Sequence, residues 1–341
     1  MSSKTTSIKN RIKGMMLGVA VGDALGMPVE TFSPEKIREA YPETGGMIRK
    51  YIQPRAHKWF DGREAGTTTD DTQLTLAVAR ALIQNNGHPN MEAIADAHVD
   101  AFLVDDSSWG GTTRDAVRAL ANGSAWEDSG LHQSNRGLGN GVPMKIAPIA
   151  AYQVVNERHL STSWAIGVKM AIMTHKTSVA VESGMAHLAG LAYLLKTNPE
   201  NVDISYLYSH VRNACLFGLS MAEGRVEKTK DQLWVRMKEI ENYQLYDNEK
   251  TIEEFNGGGC YCYDSVPFTY MFFARNYKTI DSLYDCVSCG GDADTNGSML
   301  ASMLGALHGP DIFPKHLIEG LDQGQEILDT TEELCSVLKI D

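Results

Sequence analysis

Glycine recurs at every fourth position near the start of this chain, at Gly14, Gly18, Gly22 and Gly26. The surrounding residues, Ser7 to Leu25, read as one helix, so the glycines form a stripe along a single face. Each interior glycine costs a helix about 1 kcal/mol relative to alanine. A helix that keeps several on one face is expected to lie against another backbone. The same device returns late in the chain at Gly297, Ala301, Gly305 and Gly309. These two segments are expected to be central helices in close mutual contact.

Between them helical patterns dominate. Helix is expected from Asp70 to about 84, then over 91–104, 113–121, 143–155, 160–173, 178–195, 204–226, 232–242, 266–275 and 280–286. Two more close the chain, over 319–328 and 332–338. Residues 28–66, broken by Pro28, Pro34, Pro42 and Gly45-Gly46, read as a long loop. Strand signals are scarce, with no β-α-β alternation and no long repeat. A single mostly α domain over residues 1–341 follows, with any small sheet confined to about 41–60 or to the end. Of the 341 residues, 43% are hydrophobic, which suffices for a substantial core.

Several function classes are disfavoured. The net charge of -12 argues against a general nucleic-acid or anionic-membrane surface. The charged start, residues 1–11, and the apolar run 14–22 resemble a signal peptide but lack a convincing cleavage site. No apolar run is expected to reach the roughly 18–20 residues of a membrane span, so a soluble cytoplasmic protein is expected. Cys286 and Cys289 have metal-like spacing, but Cys260-Tyr261-Cys262 is an unusual zinc half-site. The six cysteines are expected to be reduced and mostly buried.

Two acidic clusters stand out. Thr69-Asp70-Asp71 opens one helix, and Asp292-Ala293-Asp294-Thr295 opens another. Asp and Thr are favoured helix caps, and Asp70 with Gln73 has capping-box spacing. One cap needs one acceptor, however, and paired carboxylates repel unless a cation lies between them. Carboxylate and hydroxyl oxygens without His or Cys suit Mg2+ or Mn2+ better than Zn2+. Two flexible loops, Gly137–Gly141 and Gly257-Gly258-Gly259, let backbone N–H groups approach an anion, and Lys145 is expected to add a positive charge within reach. Neither loop matches a P-loop or dinucleotide fingerprint. Trp59-Phe60 and Trp109 have the chemistry to stack on a base, although aromatic residues are more often core.

In order along the chain, these motifs resemble the ADP-ribosylglycohydrolase family, which includes the dinitrogenase-reductase-activating glycohydrolases and ADP-ribosylhydrolases. The resemblance is carried by Gly14 to Glu30, Thr68-Thr69-Asp70-Asp71-Thr72, Gly110 to Thr113 and Gly139-Asn140-Gly141 before Met144-Lys145. It continues through Thr174-His175, Asp264 to Pro267 and Gly290 to Thr295. It implies an all-α orthogonal helical bundle with a site for two Mg2+ or Mn2+ ions. Thr69, Asp70, Asp71, Asp292, Asp294 and Thr295 would be the metal ligands, and Glu30, Asp71 and Asp294 the catalytic carboxylates. Gly139, Asn140, Gly141, Met144 and the loop Gly257, Gly258, Gly259 would cradle the diphosphate and ribose, with His175 near the substrate. The implied activity is removal of ADP-ribose from a modified protein side chain, with free ADP-ribose as product. ADP-ribosyl-arginine fits best, because a guanidine leaves readily once protonated. ADP-ribosyl-serine, a small ADP-ribosyl metabolite and a non-catalytic binder on the same fold remain open. Two positions depart from the usual pattern: Ala293 inside the last motif, and Val142-Pro143 after the first glycine loop.

Overall fold

The computed structural model describes residues 6–133, 135–156, 160–243 and 245–340. The first five residues of the signal-like start, and Ser134 of the first loop, lie outside the described residues. The helices run α1 (Ile8–Gly26), α2 (Pro34–Ala40), α3 (Asp70–Gln84), α4 (Met91–Val104), α5 (Gly111–Ala121) and α6 (Trp126–Ser129). They continue as α7 (Ala147–Val155), α8 (Leu160–Thr174), α9 (Ser178–Lys196), α10 (Ile204–Met221), α11 (Leu233–Glu239) and α12 (Asn248–Glu254). The last are α13 (Cys262–Arg275), α14 (Asp281–Ser288), α15 (Ala293–His308), α16 (Lys315–Glu319) and α17 (Gly324–Val337).

The glycine stripes meet. A Cβ added to Gly18 would lie 2.3 Å from the carbonyl oxygen of Ala301, one on Gly22 2.0 Å from that of Gly297, and one on Gly26 2.1 Å from that of Ala293. The pairing runs 18 to 301, 22 to 297 and 26 to 293, so α1 and α15 are antiparallel. The C-terminal end of α1 therefore meets the N-terminal end of α15. Gly309 continues the stripe one residue past the helix, since a Cβ on Gly14 would lie 2.4 Å from its carbonyl carbon. It ends α15 in a positive-φ conformation at +80°.

Around this pair α3, α9, α13, α14 and α17 pack as neighbours. Two stretches, Ile8–Val29 and Ser178–Lys196, prove long and apolar enough to cross a membrane, contrary to the expectation above. In both, 94% of the apolar window is buried inside the protein, so each serves as a core helix.

Other differences have local causes. Pro34 begins a helix instead of breaking the chain: proline suits the first helical position, and Ser33 caps the start by accepting the Lys36 N–H. Residues 41–60 hold no strand, and the isolated bridges pair Leu131 with His175, Gly139 with Tyr261 and Thr177 with Glu227. Helix α13 starts at Cys262 rather than near 266, and Pro267 sits within its first turns. Helix α10 stops at Met221, and Gly224 turns the chain at φ +74°. The last two expected helices form one from 324 to 337. Thr330 and Thr331 are buried there, and the Thr331 hydroxyl donates to the Ile327 carbonyl.

Candidate active site

The antiparallel crossing brings α1, α3 and α15 to one point. Asp23, near the end of α1, is fully buried. Its carboxylate accepts the Thr69 N–H at 3.0 Å, the Thr69 hydroxyl at 2.9 Å, the Thr72 N–H at 3.1 Å and the Thr72 hydroxyl at 2.5 Å. Asp23 thus caps α3 from outside. The expected Asp70–Gln73 capping box does not form. Gln73 reaches instead to the carbonyls of Ala101 and Asp105, and its side-chain oxygen accepts from Trp109. Because capping is done by Asp23, both acids of α3 are released to face a cleft.

That cleft, about 230 Å³, has Glu30, Asp70, Asp71, Asp292, Asp294 and Thr295 among its lining residues. The rest of the lining is Ser108, the segment 110–113, Gly139, Asn140, Gly141, Met144, His175 and Cys260. Asp70 accepts the Gly110 N–H at 3.2 Å, and Asp71 Oδ2 accepts the Thr295 hydroxyl at 3.1 Å. Asp71 Oδ1 is buried with no hydrogen-bond partner. Asp292 accepts from Asn140 Nδ2 at 2.5 Å. Ligand oxygens of Glu30, Asp292 and Asp294 lie within 4.8 Å of one another.

Burial, followed by the neighbouring charges of Asp292, Asp70 and Asp23, pushes the Glu30 carboxyl up to about 9. Burial raises Asp70 to about 7, against the pull of the Gly110 N–H. Burial also lifts Asp71 and Asp294 well above the carboxylate range, with adjacent acids adding to it. Acids this close in a low-dielectric cleft hold protons or cations, but do not all stay bare anions. The donor set is oxygen throughout, and an orphaned carboxylate oxygen points to a missing partner. Both features fit Mg2+ or Mn2+. Among the described residues no cysteine joins this grouping, and all six cysteines are unpaired.

The sequence-expected ligands do not all stand alike. Asp70, Asp71, Asp292, Asp294 and Thr295 line the cleft; Thr69 lies behind them, its hydroxyl proton given to Asp23. Gly139, Asn140, Gly141, Met144 and His175 line it as well. A Cβ on Gly141 would lie 2.7 Å from His175 Cε1 and 2.9 Å from Thr113 Oγ1, so a larger residue would have to push these side chains aside. Gly257, Gly258 and Gly259 are not among the lining residues; Cys260 is. The Gly258 carbonyl accepts from the Asp292 N–H and from Asn296, so this loop braces the second acidic cluster from behind.

Lys145 does not reach the cleft. Its short helical turn, Pro143–Lys145, directs it inward, where it is fully buried with Nζ 3.5 Å from Thr174 Oγ1. Burial lowers its pKa to about 7. His175 is held neutral, down to about 3, by burial and by the charges of Lys145 and Arg136. Its Nδ1 lies 2.9 Å from the Thr174 hydroxyl. Neither Trp59 nor Trp109 lines the cleft; Trp109 is core. Asp23 is the site residue that motif reading passed over as a candidate. Its signal was an acid placed on the inner part of an otherwise apolar, glycine-striped helix.

Comparison with known proteins agrees with this architecture. An ADP-ribosyl-[dinitrogen reductase] glycohydrolase of Rhodospirillum rubrum is 24% identical, covering 94% of this chain and 93% of its own. An ADP-ribosylarginine hydrolase of Pseudomonas putida is 24% identical over 95% of this chain and 78% of its own. A solved structure described as an ADP-ribosylglycohydrolase-related protein complex shares the fold. It matches with a TM-score of 0.63 at 22% identity, over 98% of this chain and 100% of that one. The ADP-ribosylglycohydrolase family model matches residues 4–339, and the chain belongs to that family of hydrolases.

Proposed function

We propose that this protein is a divalent-cation-dependent hydrolase that removes ADP-ribose from modified protein side chains, ADP-ribosyl-arginine first among them. The observation that carries the reading is the convergence of Glu30, Asp71, Asp292 and Asp294 on one cleft, with Asp71 Oδ1 unpartnered. The activities named for the Rhodospirillum and Pseudomonas relatives support the substrate class. Asp70, Asp71, Asp292, Asp294 and Thr295 would hold two Mg2+ or Mn2+ ions, with Thr69 behind them bonded to Asp23. Bound there, such ions supply Lewis-acid polarisation of a water and of the ribose hydroxyls. Gly139, Asn140, Gly141, Met144 and His175 would form the ADP-ribose wall, with Gly257 to Gly259 bracing the second acidic cluster behind it. The unpaired cysteines fit a reducing compartment, and we place the protein in the cytoplasm.

In the reaction a water oxygen bonds to the anomeric carbon as the bond from that carbon to the side-chain nitrogen breaks. The water proton passes to the leaving nitrogen, so charge and atoms balance. Asp71 and Asp294 orient the water, and Glu30 carries the proton. Glu30 is placed for this by position: one of its carboxylate oxygens lies within 4.8 Å of those of Asp292 and Asp294.

The test is release of ADP-ribose from arginine- and serine-modified peptides, followed by mass spectrometry with Mg2+, Mn2+ or chelator. Ion-dependent release from the arginine peptide is expected. Release from the serine peptide alone would move the substrate assignment. No release from either, with ADP-ribose still bound, would make the protein a non-catalytic binder.

A further inference from the structure

Glu30 follows the short turn Met27–Val29 at the end of α1, and its backbone is held from two sides. On one side, Thr31 adopts φ +63°, a left-handed conformation that a β-branched residue rarely takes. It is kept there by paired backbone contacts: the Thr31 N–H donates to the Gly291 carbonyl, and the Gly291 N–H donates to the Phe32 carbonyl at 3.0 Å. A Cβ on Gly290 would lie 1.9 Å from that same Phe32 oxygen. Strain held in place by its surroundings collects at functional sites, and here it borders the acid that clusters with Asp292 and Asp294.

On the other side stands His57, 3% exposed. Its Nδ1 accepts the N–H groups of Trp59 and Phe60, each at 3.2 Å. Two donors on Nδ1 leave the ring proton on Nε2. That N–H donates to the Glu30 carbonyl at 3.0 Å. The ring lies between Phe32 at 5.4 Å and Phe60 at 4.7 Å, within 19° and 18° of parallel. A buried histidine is usually a packing residue. This one has every polar atom committed to backbone, and one of those bonds goes to the carbonyl of the site's outermost acid.

We propose that His57 is a positioning residue for Glu30: through its Nε2–H bond to the Glu30 carbonyl and the strained Thr31 turn, it sets where the Glu30 carboxylate stands against Asp292 and Asp294. The inference rests on the reading that Glu30 acts in hydrolysis.

The experiment separates ring packing from the hydrogen bond. His57→Phe keeps an aromatic ring between Phe32 and Phe60 but loses the donor; His57→Gln keeps an N–H donor but loses the ring. With Mg2+ present, His57→Phe is expected to lower kcat by about 10- to 100-fold, as a misplacement on the order of 1 Å does, with KM held within about twofold. His57→Gln is expected to recover most of the rate. Hydrogen exchange at the Thr31 amide should rise in His57→Phe, while α1 and α15 stay protected. Combining His57→Phe with Glu30→Gln should lose little beyond Glu30→Gln alone. Equal losses in both His57 variants, or a kcat for His57→Phe within about twofold of the parent, would overturn the proposal. If His57→Phe does not fold, Thr31→Gly relaxes the same turn without touching the ring. It should fold at least as stably as the parent yet turn over more slowly, and an unchanged kcat overturns the proposal. Should Glu30→Gln itself hydrolyse normally, the role given to Glu30 fails, and exchange at Thr31 still decides whether His57 holds the turn.

Discussion

The Thr295 hydroxyl donates to Asp71 Oδ2 at 3.1 Å, joining residues 224 positions apart. This bond ties the start of α15 to the start of α3 and leaves Asp71 Oδ1 buried and unpartnered. Asp71→Asn keeps the shape of the side chain and can still accept from Thr295. Turnover should fall by at least about 100-fold. The circular-dichroism spectrum should be unchanged. Hydrolysis within a few-fold of the parent, with Mg2+ present, would sink the role given to Asp71.

Asp23 acts on the same helix from behind. Asp23→Ala removes one acceptor that serves two N–H groups and two hydroxyls. Buried donors left unpaired cost about 1–3 kcal/mol each; the hydroxyls can rotate, so the two fixed N–H groups set an expected loss of roughly 2–6 kcal/mol with Mg2+ present. Urea midpoints measure it, and an unchanged midpoint would show that α3 needs no cap from α1.

Gly22→Ala tests the helix crossing. Alanine improves helix propensity by about 1 kcal/mol. Its Cβ would, however, lie 2.0 Å from the Gly297 carbonyl oxygen. Overpacking of this kind typically costs 1–3 kcal/mol, and rigid backbone on the far side places the case at or above about 3. The variant should be less stable by about 2 kcal/mol, and turnover should drop because Asp23 and Asp294 move apart. A stabilised variant would contradict the packing described here.

The ion-free protein should lose stability as pH rises. Folding raises Glu30 to about 9 and Asp70 to about 7, in both cases mainly by burial. The folded state therefore keeps protons that the unfolded chain has already released. The contribution is full below the ordinary carboxylate range, near pH 4, and is lost through pH 7 to 9. Mg2+ bound as proposed would take the place of those protons, so its stabilising effect should be greater at pH 9 than at pH 6. Thermal melts in chelator and in Mg2+ at both pH values decide this; equal Mg2+ shifts would rule it out.

Much of this was legible because it was written in sterics. Glycine at every fourth residue states that a Cβ has no room, and that statement located both helices of the central pair. The acid pairs were legible because a cap needs one acceptor and each cluster offered two. Asp23 was harder: a lone acid in an apolar helix has no partner nearby in sequence, and its partners lie on α3. Lys145 was misplaced for a related reason. Spacing puts it just beyond a glycine loop, but the turn at Pro143 sends it into the interior. Pro34 broke the expected pattern because a proline after serine starts a helix as readily as it ends one. His57 gave no signal, since its role lies in backbone contacts that no motif spells out.

The antiparallel crossing also governs synthesis. Asp23 emerges from the ribosome early, but the backbone it must pack against, from Ala293 to Gly305, is made near the end. Until then the glycine face of α1 lacks its partner, although α3, α7 and α9, which also pack on α1, are already made. A truncated chain lacking α15 would carry Asp70 and Asp71 without Asp292 and Asp294, so the cleft's acidic wall is complete only once translation has passed the last acidic cluster.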